Sequence, residues 1–519
     1  MSAYQSFAEI GDDDQMPMHQ VLPSESSSSR SWQHYIHDLD YFFARVYRYH
    51  RRSGFVCIIL NQFLELVQFA FIISFTIFLI HGVDYDMMFK RKDVSAVNGS
   101  KIEVQKSSKV TIADILIPWN QWHITGLEIF FLTFASLFWT FKLLKMIQSV
   151  FVNSAIKAFY REALDIRDCT AYTWPAVQSK IIQAQRLCMI QDAHLNELDI
   201  HNRILRHTNY LVALMNKGLI PLHYRVPLIG EVTYLSHGLL LNVQCLLFRG
   251  PFSLFETNWK LKDSVKSPNN RIIAANQLAR KCLYFAALNL VLFPFIAIWQ
   301  VLTTFYAYAE ALKRDPSQVV GSRSWSLYAR WYCRHFNELD HLLDDRLNRG
   351  YKSATKYMNS FTSPASEIVA KHMTFVAGSV LAVLILLTIY DEDVITVEHL
   401  ITVMTGLGAI IAISRAFISA DVPLKYTQAD LYTQILEHVH YVPHGYAPYS
   451  AQAQVAMSKI FQYKITSILE ELLSPLVTPY ILARHVRPRS LELIDFFRNF
   501  TVDVQVSSKF NEIVTTHLL

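Results

Sequence analysis

The sequence predicts an all-α polytopic membrane protein with four transmembrane helices, two re-entrant membrane elements and helical cytosolic segments. Three observations predict it. First, 52% of the 519 residues are hydrophobic and 13% aromatic, with a mean hydropathy of +0.19, high for a soluble chain of this length. Second, Met373 to Tyr390 contains no charged residue. At about 1.5 Å per residue this run nearly covers a hydrocarbon core of roughly 30 Å. Third, Leu400 to Ile418 is apolar except for Arg415, and the turn between the two runs holds Asp391, Glu392, Asp393 and Glu398 but no Lys or Arg. The two runs make a membrane hairpin with an acidic turn. A turn without basic residues is placed in the lumen, which returns both ends of the hairpin to the cytosol and orients the rest of the chain.

Taken in order, residues 1–31 are acidic and Ser-rich with few apolar anchors and read as a disordered cytosolic tail. No apolar core follows Met1, so the first span itself targets the chain to the membrane. Tyr4-Gln5-Ser6-Phe7 fits a tyrosine-based sorting signal, a short pattern that chance also produces. Residues 32–54 contain "DLDYFFARVYRYHRR", aromatic and basic residues ahead of an apolar run, and read as an interfacial helix on the cytosolic face. Residues 55–149 hold the first transmembrane pair. Its first span, Phe55 to Ile80, carries Asn61, Glu65 and Gln68 on one helical face. A polar stripe at that depth lines an internal pathway or meets another helix. The loop 81–123 contains Asn98-Gly99-Ser100, a glycosylation sequon usable only in the lumen. Lys90-Arg91-Lys92 opposes that placement; Arg45, Arg48, Arg51 and Arg52 across the span outweigh it. The second span, Ile124 to Leu144, passes Glu128 and leaves at Lys142 and Lys145.

Residues 150–281 show helical periodicity, as in Val177, Ile181, Ala184 and Cys188 after Thr173-Trp174-Pro175. Within them, Tyr210 to Leu222 and Gly238 to Phe248 are too short to span and read as interfacial or buried helices. The run 282–312 is long enough to cross but carries Pro294. Crossing would place the basic segment 313–372 in the lumen and invert the hairpin at 373–418. A re-entrant helix pair broken at Pro294 removes both conflicts. After a cytosolic segment at 419–464, the same logic makes 465–483, with Pro475 and Pro479, a second re-entrant element before a cytosolic region at 484–519.

No nucleophile, acid–base or metal constellation of known spacing occurs, and no catalytic residue, metal ligand or cofactor is expected. His335-x4-Asp340 and His194-x4-Asp199 match an acyltransferase pattern, but on a helix the two side chains would lie about 140° apart. His438, His440 and His444 read as a solvated loop. The six cysteines lie outside the lumenal loops, which argues against a disulfide framework, and a dispersed net charge of +5 gives no reason to expect nucleic acid. What remains is polar chemistry at membrane depth: Asn61, Glu65, Gln68 and Arg415, with Lys313-Arg314-Asp315 where the first re-entrant element ends. Arg415 either snorkels to the headgroups or, with Lys313 and Arg314, attracts lipid phosphates along a wet groove. Gly378 with Ala382, and Gly408 with Ala412, would let helices approach closely around it.

"DLDYFFARVY" (38–47), "NELDIHNRILRHTNYLVALMNK" (196–217), "LNRGYKSATKYMNSF" (347–361), "VLAVLILLTIYDEDV" (380–394), "LEELLSPLVTPYIL" (469–482) and "RPRSLELIDFFRNFTVDV" (487–504) together resemble the autophagy-related protein nine family. The resemblance runs from about residue 32 to 505. It implies a domain-swapped homotrimer and an energy-independent phospholipid scramblase, not a covalent catalyst, on vesicles that seed the autophagosome. It also implies work with membrane phospholipids, the bridge-like lipid-transfer protein of autophagy and the autophagy-initiation complex, and clathrin adaptor complexes bound through Tyr4 to Phe7. By matching position, Lys313, Arg314 and Asp315 would line a lateral lipid path and Arg415 a central pore. Preautophagosomal structures, trans-Golgi, endosomes and small vesicles are the implied locations. Many members continue into a long C-terminal tail; this sequence ends at Leu519, so contacts made by such a tail are not carried over. A vesicle-shaping scaffold that moves no lipid, or an ion or solute channel, are the alternative readings.

Overall fold

The structure, a computed structural model, describes residues 39–85, 115–187, 195–226, 230–250, 252–256, 260–314, 321–361, 364–390, 399–418, 426–440 and 447–501. Tyr4, Phe7, Asn98, Asp315 and the acidic turn 391–398 lie outside the described residues, as does the side chain of Lys313.

Helices form nearly all of it. The first are α1 (Leu39–Arg51), α2 (Gly54–His81), α3 (Gly126–Glu162), α4 (Trp174–Leu187) and α5 (Glu197–Asn216). A hairpin of β1 (His223–Val226) and β2 (Gly230–Thr233) precedes α6 (His237–Leu247) and α7 (Arg271–Arg314). Then come β3 (Arg323–Trp325), α8 (Leu327–Tyr332), α9 (Asp340–Asn359), α10 (Pro364–Tyr390) and α11 (Leu400–Phe417). The chain ends with α12 (Gln428–Val439), α13 (Ala451–Ile460), β4 (Phe461–Tyr463), α14 (Lys464–Ile481) and α15 (Ser490–Phe500). β3 and β4 pair antiparallel, with Arg323 opposite Tyr463, across more than a hundred residues of chain. Among the described residues, five helical runs are long and apolar enough to cross a membrane: Gly54–His81, Gly126–Glu162, Pro268–Ala311, Pro364–Tyr390 and Lys464–Phe500.

Two buried clusters carry the packing. The first joins α1, the C-terminal half of α3, α4 and the start of α5. Its largest members are aromatic: Phe42 meets Phe159 edge-on at 5.0 Å, and the Tyr160 hydroxyl donates to the Val46 carbonyl at 3.0 Å. Full burial of each such side chain contributes about 1.5–3 kcal/mol. The aromatic face of α1, which the sequence assigns to a bilayer surface, is therefore covered by protein. An amphipathic helix is satisfied by any apolar surface, and α3 supplies one because it runs well past the expected end at Leu144. On α4, Val177, Ile181 and Ala184 are buried as the periodicity predicts, while Cys188 lies outside the described residues.

The second cluster gathers the end of α5, α6, the first half of α7, α8, α9, α12, α13 and α15. α5 belongs to both, burying Ile200 and Leu205 in one and Leu211 and Leu214 in the other. Polar contacts clamp the clusters together. The Tyr47 hydroxyl meets His341 Nδ1 at 2.9 Å, Arg51 bonds Asp340 at 2.7 Å and Asp344 at 2.6 Å, and Asp40 takes Arg203 and Arg206 at 3.1 and 2.8 Å. α6, open between two readings from sequence, is a buried helix: Leu239, Val243, Leu246 and Leu247 all face the core.

Two expectations need correction. α7 is not broken at Pro294; it stays helical from Arg271 to Arg314. A proline removes one N–H and crowds the preceding turn, which a helix tolerates when its flanks are held. Here Phe295 packs on Phe130, Phe131 and Phe134 at 5.6, 4.8 and 4.0 Å. α14 likewise continues through Pro475 and Pro479, and the helical register changes only afterwards, through a π turn at Leu482–Val486 and a 3-10 turn at Arg487–Arg489. Glu128, near the start of the second span, closes a capping box with Thr125 at the start of α3 and meets His81 Nε2 at 3.2 Å.

Candidate membrane-embedded polar site

α2 positions the polar stripe. Its buried seam is Ile58, Leu66, Phe69 and Ile72. At about 100° per residue, Asn61, Glu65 and Gln68 centre roughly 70° round the helix from that seam. The stripe thus borders a packed interface and stays exposed along its whole length. Asn61 Nδ2 donates to Glu65 Oε1 at 2.7 Å, while Gln68 continues the face toward the middle of the span.

Aromatic residues hold α2 against α3 and α7. Phe69 packs on Phe138 at 5.6 Å and on Trp299 at 4.3 Å; Trp139 Nε1 donates to the Leu66 carbonyl at 3.2 Å. Further along, Thr76 and Tyr306 hydroxyls lie 3.3 Å apart. Lys142 sits over the rings of Phe69 and Phe138 at 5.9 and 5.6 Å, so its ammonium meets aromatic faces at the edge of this seam.

The structure places Arg314 exposed at the last position of α7 and Arg415 exposed in the last turn of α11. A cation at a helix C-terminus is favoured by the helix dipole, so Arg415 has a local reason to sit there whatever else it does. No hydrogen bond among the described residues joins the stripe to Arg314 or Arg415 within one subunit. The hairpin explains part of this separation. α10 and α11 pack chiefly on each other, and the residues they bury are small: Ala370 and Ala377 on one, Ala412 and Ser414 on the other. Gly378 and Gly408, expected as points of close approach, face open space instead.

Sequence reasoning missed the polar contacts that fix α6 and α7. Asn289, a lone amide in an apolar run, donates to Asn242 Oδ1 at 2.6 Å and to the Phe285 carbonyl at 2.7 Å. Ser236, Ser474 and Thr478 form a buried hydroxyl chain, 2.8 and 3.2 Å between oxygens. An amide isolated among apolar residues was the available signal; its partner on another helix was not. The histidine–aspartate pattern does no joint work, because His335 meets His440 at 2.9 Å whereas Asp340 takes Arg51 and Arg334.

Long apolar helices, a paired polar stripe on one of them and a helical core that gathers their ends define a polytopic α-helical membrane protein. The family model described as "Autophagy protein ATG9" matches residues 30–508, and the chain belongs to that family. Autophagy-related protein 9A of Homo sapiens is 44% identical over 495 residues, covering 93% of this chain and 58% of that protein. Autophagy-related protein 9B of Mus musculus is 42% identical over 499 residues, covering 94% and 54%. Autophagy-related protein 9 of Dictyostelium discoideum is 32% identical over 476 residues, covering 90% and 65%. The chain thus spans roughly half to two thirds of the length of these relatives. The cryo-EM structure of Schizosaccharomyces pombe Atg9 has the same fold, with a TM-score of 0.65 at 24% identity over 90% of this chain and 96% of that one.

Proposed function

We propose that this autophagy-family membrane protein is an energy-independent phospholipid scramblase that equilibrates lipids between leaflets as the autophagosome membrane is seeded and expands. The observation that carries the reading is the stripe Asn61–Glu65–Gln68, polar and uncovered on an otherwise apolar span. A carboxylate facing acyl chains at membrane depth costs several kcal/mol. A wet path between subunits removes that cost and gives lipid headgroups a polar route, with acyl tails left in the bilayer. Arg415, Arg314 and Lys313 supply cations for the phosphates, and Asp315 follows them in sequence. No covalent chemistry is needed.

The path is completed in a homotrimer. The exposed apolar faces of the α10–α11 hairpin, with Phe375, Val376 and Ile413 uncovered, support its docking on a neighbouring copy or on lipid. In this reading α7 and α14 are re-entrant. The contacts that support it are Arg271 at the start of α7 bonded to Asp495 in α15, and Tyr308 near its end lying under Lys464 at the start of α14. The bridge-like lipid-transfer protein and the initiation complex of autophagy are the proposed partners, with clathrin adaptors recruited through Tyr4 and Phe7. Golgi, endosomal and vesicle membranes are the proposed sites, and Asn98 the proposed glycosylation site.

Reconstitution tests the activity. Protein in sealed liposomes with a headgroup-labelled lipid and an impermeant quencher should lose well over half the fluorescence without ATP and without release of a trapped dye. Loss that stops at about half, as in empty liposomes, overturns the proposal and leaves a vesicle-shaping scaffold; dye release with it points to a channel.

A further inference from the structure

The second buried cluster carries a cleft of about 740 Å³ that the lipid path does not use. It opens between the end of α5, α8 with the residues after it, the end of α12 and Arg489. This size falls in the ordinary range for small-ligand sites, roughly 300–1,000 Å³. Its charged lining has one sign. Its charged members are Arg334 and Arg489; His223, His335 and His440 also line it, burial pushing the His335 imidazole down, and no Asp or Glu does so among the described residues.

Arg334 is the unusual member. It is only 9% exposed, one terminal nitrogen bonds Asp340, and its buried Nε has no hydrogen-bond partner among the described residues. A buried donor left unpaired costs about 1–3 kcal/mol. Asp340 does not neutralise it fully, because among the described residues Arg51, Arg330 and Arg334 share the two carboxylates Asp340 and Asp344. Arg489 is held at the other side by a bond from its guanidinium to the Gly218 carbonyl, which occupies one of its donors. Tyr328 and Tyr332, which also line the cleft, stack at 5.2 Å, and His223 meets Tyr328 edge-on at 5.8 Å. Cys333 also lines the cleft, but burial pushes its thiol up to about 12, so it remains neutral and offers no nucleophile near pH 7.

We propose that this cleft binds a phosphate ester, with Arg334 and Arg489 on the phosphate oxygens and the Tyr328–Tyr332 wall against the ligand's ring. Guanidinium groups match phosphate through paired, charge-assisted hydrogen bonds. The ester is either a free phosphorylated sugar alcohol or a phosphoinositide headgroup, which share this chemistry.

The test uses the full chain in nanodiscs of neutral lipid, titrated with soluble inositol trisphosphate by calorimetry. Saturable binding is expected, weakened at least tenfold by Arg334→Gln and by Arg489→Gln. Arg489→Lys, which keeps a cation able to donate to the Gly218 carbonyl but loses the paired guanidinium geometry, should weaken binding with little change in the melting temperature of the ligand-free protein, which separates lost binding from lost folding. Competition by phosphoinositide placed in the same nanodisc identifies a bilayer-borne headgroup; undiminished binding identifies the free ester; both support the site. Absence of saturable binding, or equal affinity in all three proteins, overturns it.

Discussion

Glu338 and Arg346 meet through two hydrogen bonds of 2.8 Å, and Arg346 also donates to the Val439 and Cys333 carbonyls at 2.6 and 2.5 Å. Burial pushes the Glu338 carboxyl up, but the Arg346 bonds, the His335 amide and the Arg346 charge outweigh it and hold it below its usual value. Truncating one partner strands the other charge, so Arg346→Met should cost about 3–5 kcal/mol, read as a lower unfolding midpoint in detergent. His207 acts in the opposite sense. Burial beside Phe248, with the Arg249 charge, pushes its imidazole down to about 3. The unfolded chain takes up that proton below pH 6.5 and the folded chain does not, so stability is full above 6.5 and falls as pH drops toward 3. At pH 5 the loss should be about 2 kcal/mol, and His207→Phe should flatten the stability curve between pH 7 and 5 by that amount. Neither role was legible in the sequence. Glu338 and Arg346 read as two more surface charges until α9 and α12 pack together, and His207 is one of twenty histidines until Phe248 covers it.

α6 and α14 touch backbone to side chain at Gly238. A Cβ there would lie 2.4 Å from Ser474 Oγ, which Ser236 and Thr478 already hold. Gly238→Ala should therefore cost about 1–3 kcal/mol by thermal unfolding, whereas Gly126→Ala, with open space around the added carbon, should be close to neutral. Hydrophobic periodicity made most helices legible, because a face such as Val177, Ile181 and Ala184 repeats at the helical period whatever it packs on. It did not reveal what covers a face. α1 looked like a bilayer-surface helix because Phe42, Phe43 and Val46 would suit lipid as well as they suit Phe159. Proline misled in a similar way: Pro294 signals a break only if nothing holds the turns beside it, and the Phe295 cluster does.

At the scale of the whole molecule, both ends of α7 should lie on one side of the membrane. Cysteines replacing Asn269 and Arg314 should both react with an impermeant maleimide added from the cytosolic side and resist it from the lumenal side. Reaction from opposite sides would make α7 a true span and invert the α10–α11 hairpin. That α10 and α11 pair was readable from two apolar runs separated by a short acidic stretch. Whether the stripe on α2 meets Arg314 and Arg415 was not readable, because no hydrogen bond among the described residues joins these groups. The proposed lipid path would therefore need a second copy of the chain to complete it, and its residues are open to direct test. The most direct measurement is the scrambling rate in liposomes for wild type against the combined Glu65→Leu and Arg415→Leu variant, with trimer content checked in both. The account predicts a fall of about tenfold or more with the assembly intact. An unchanged rate would contradict a path built from the α2 stripe and the α11 arginine.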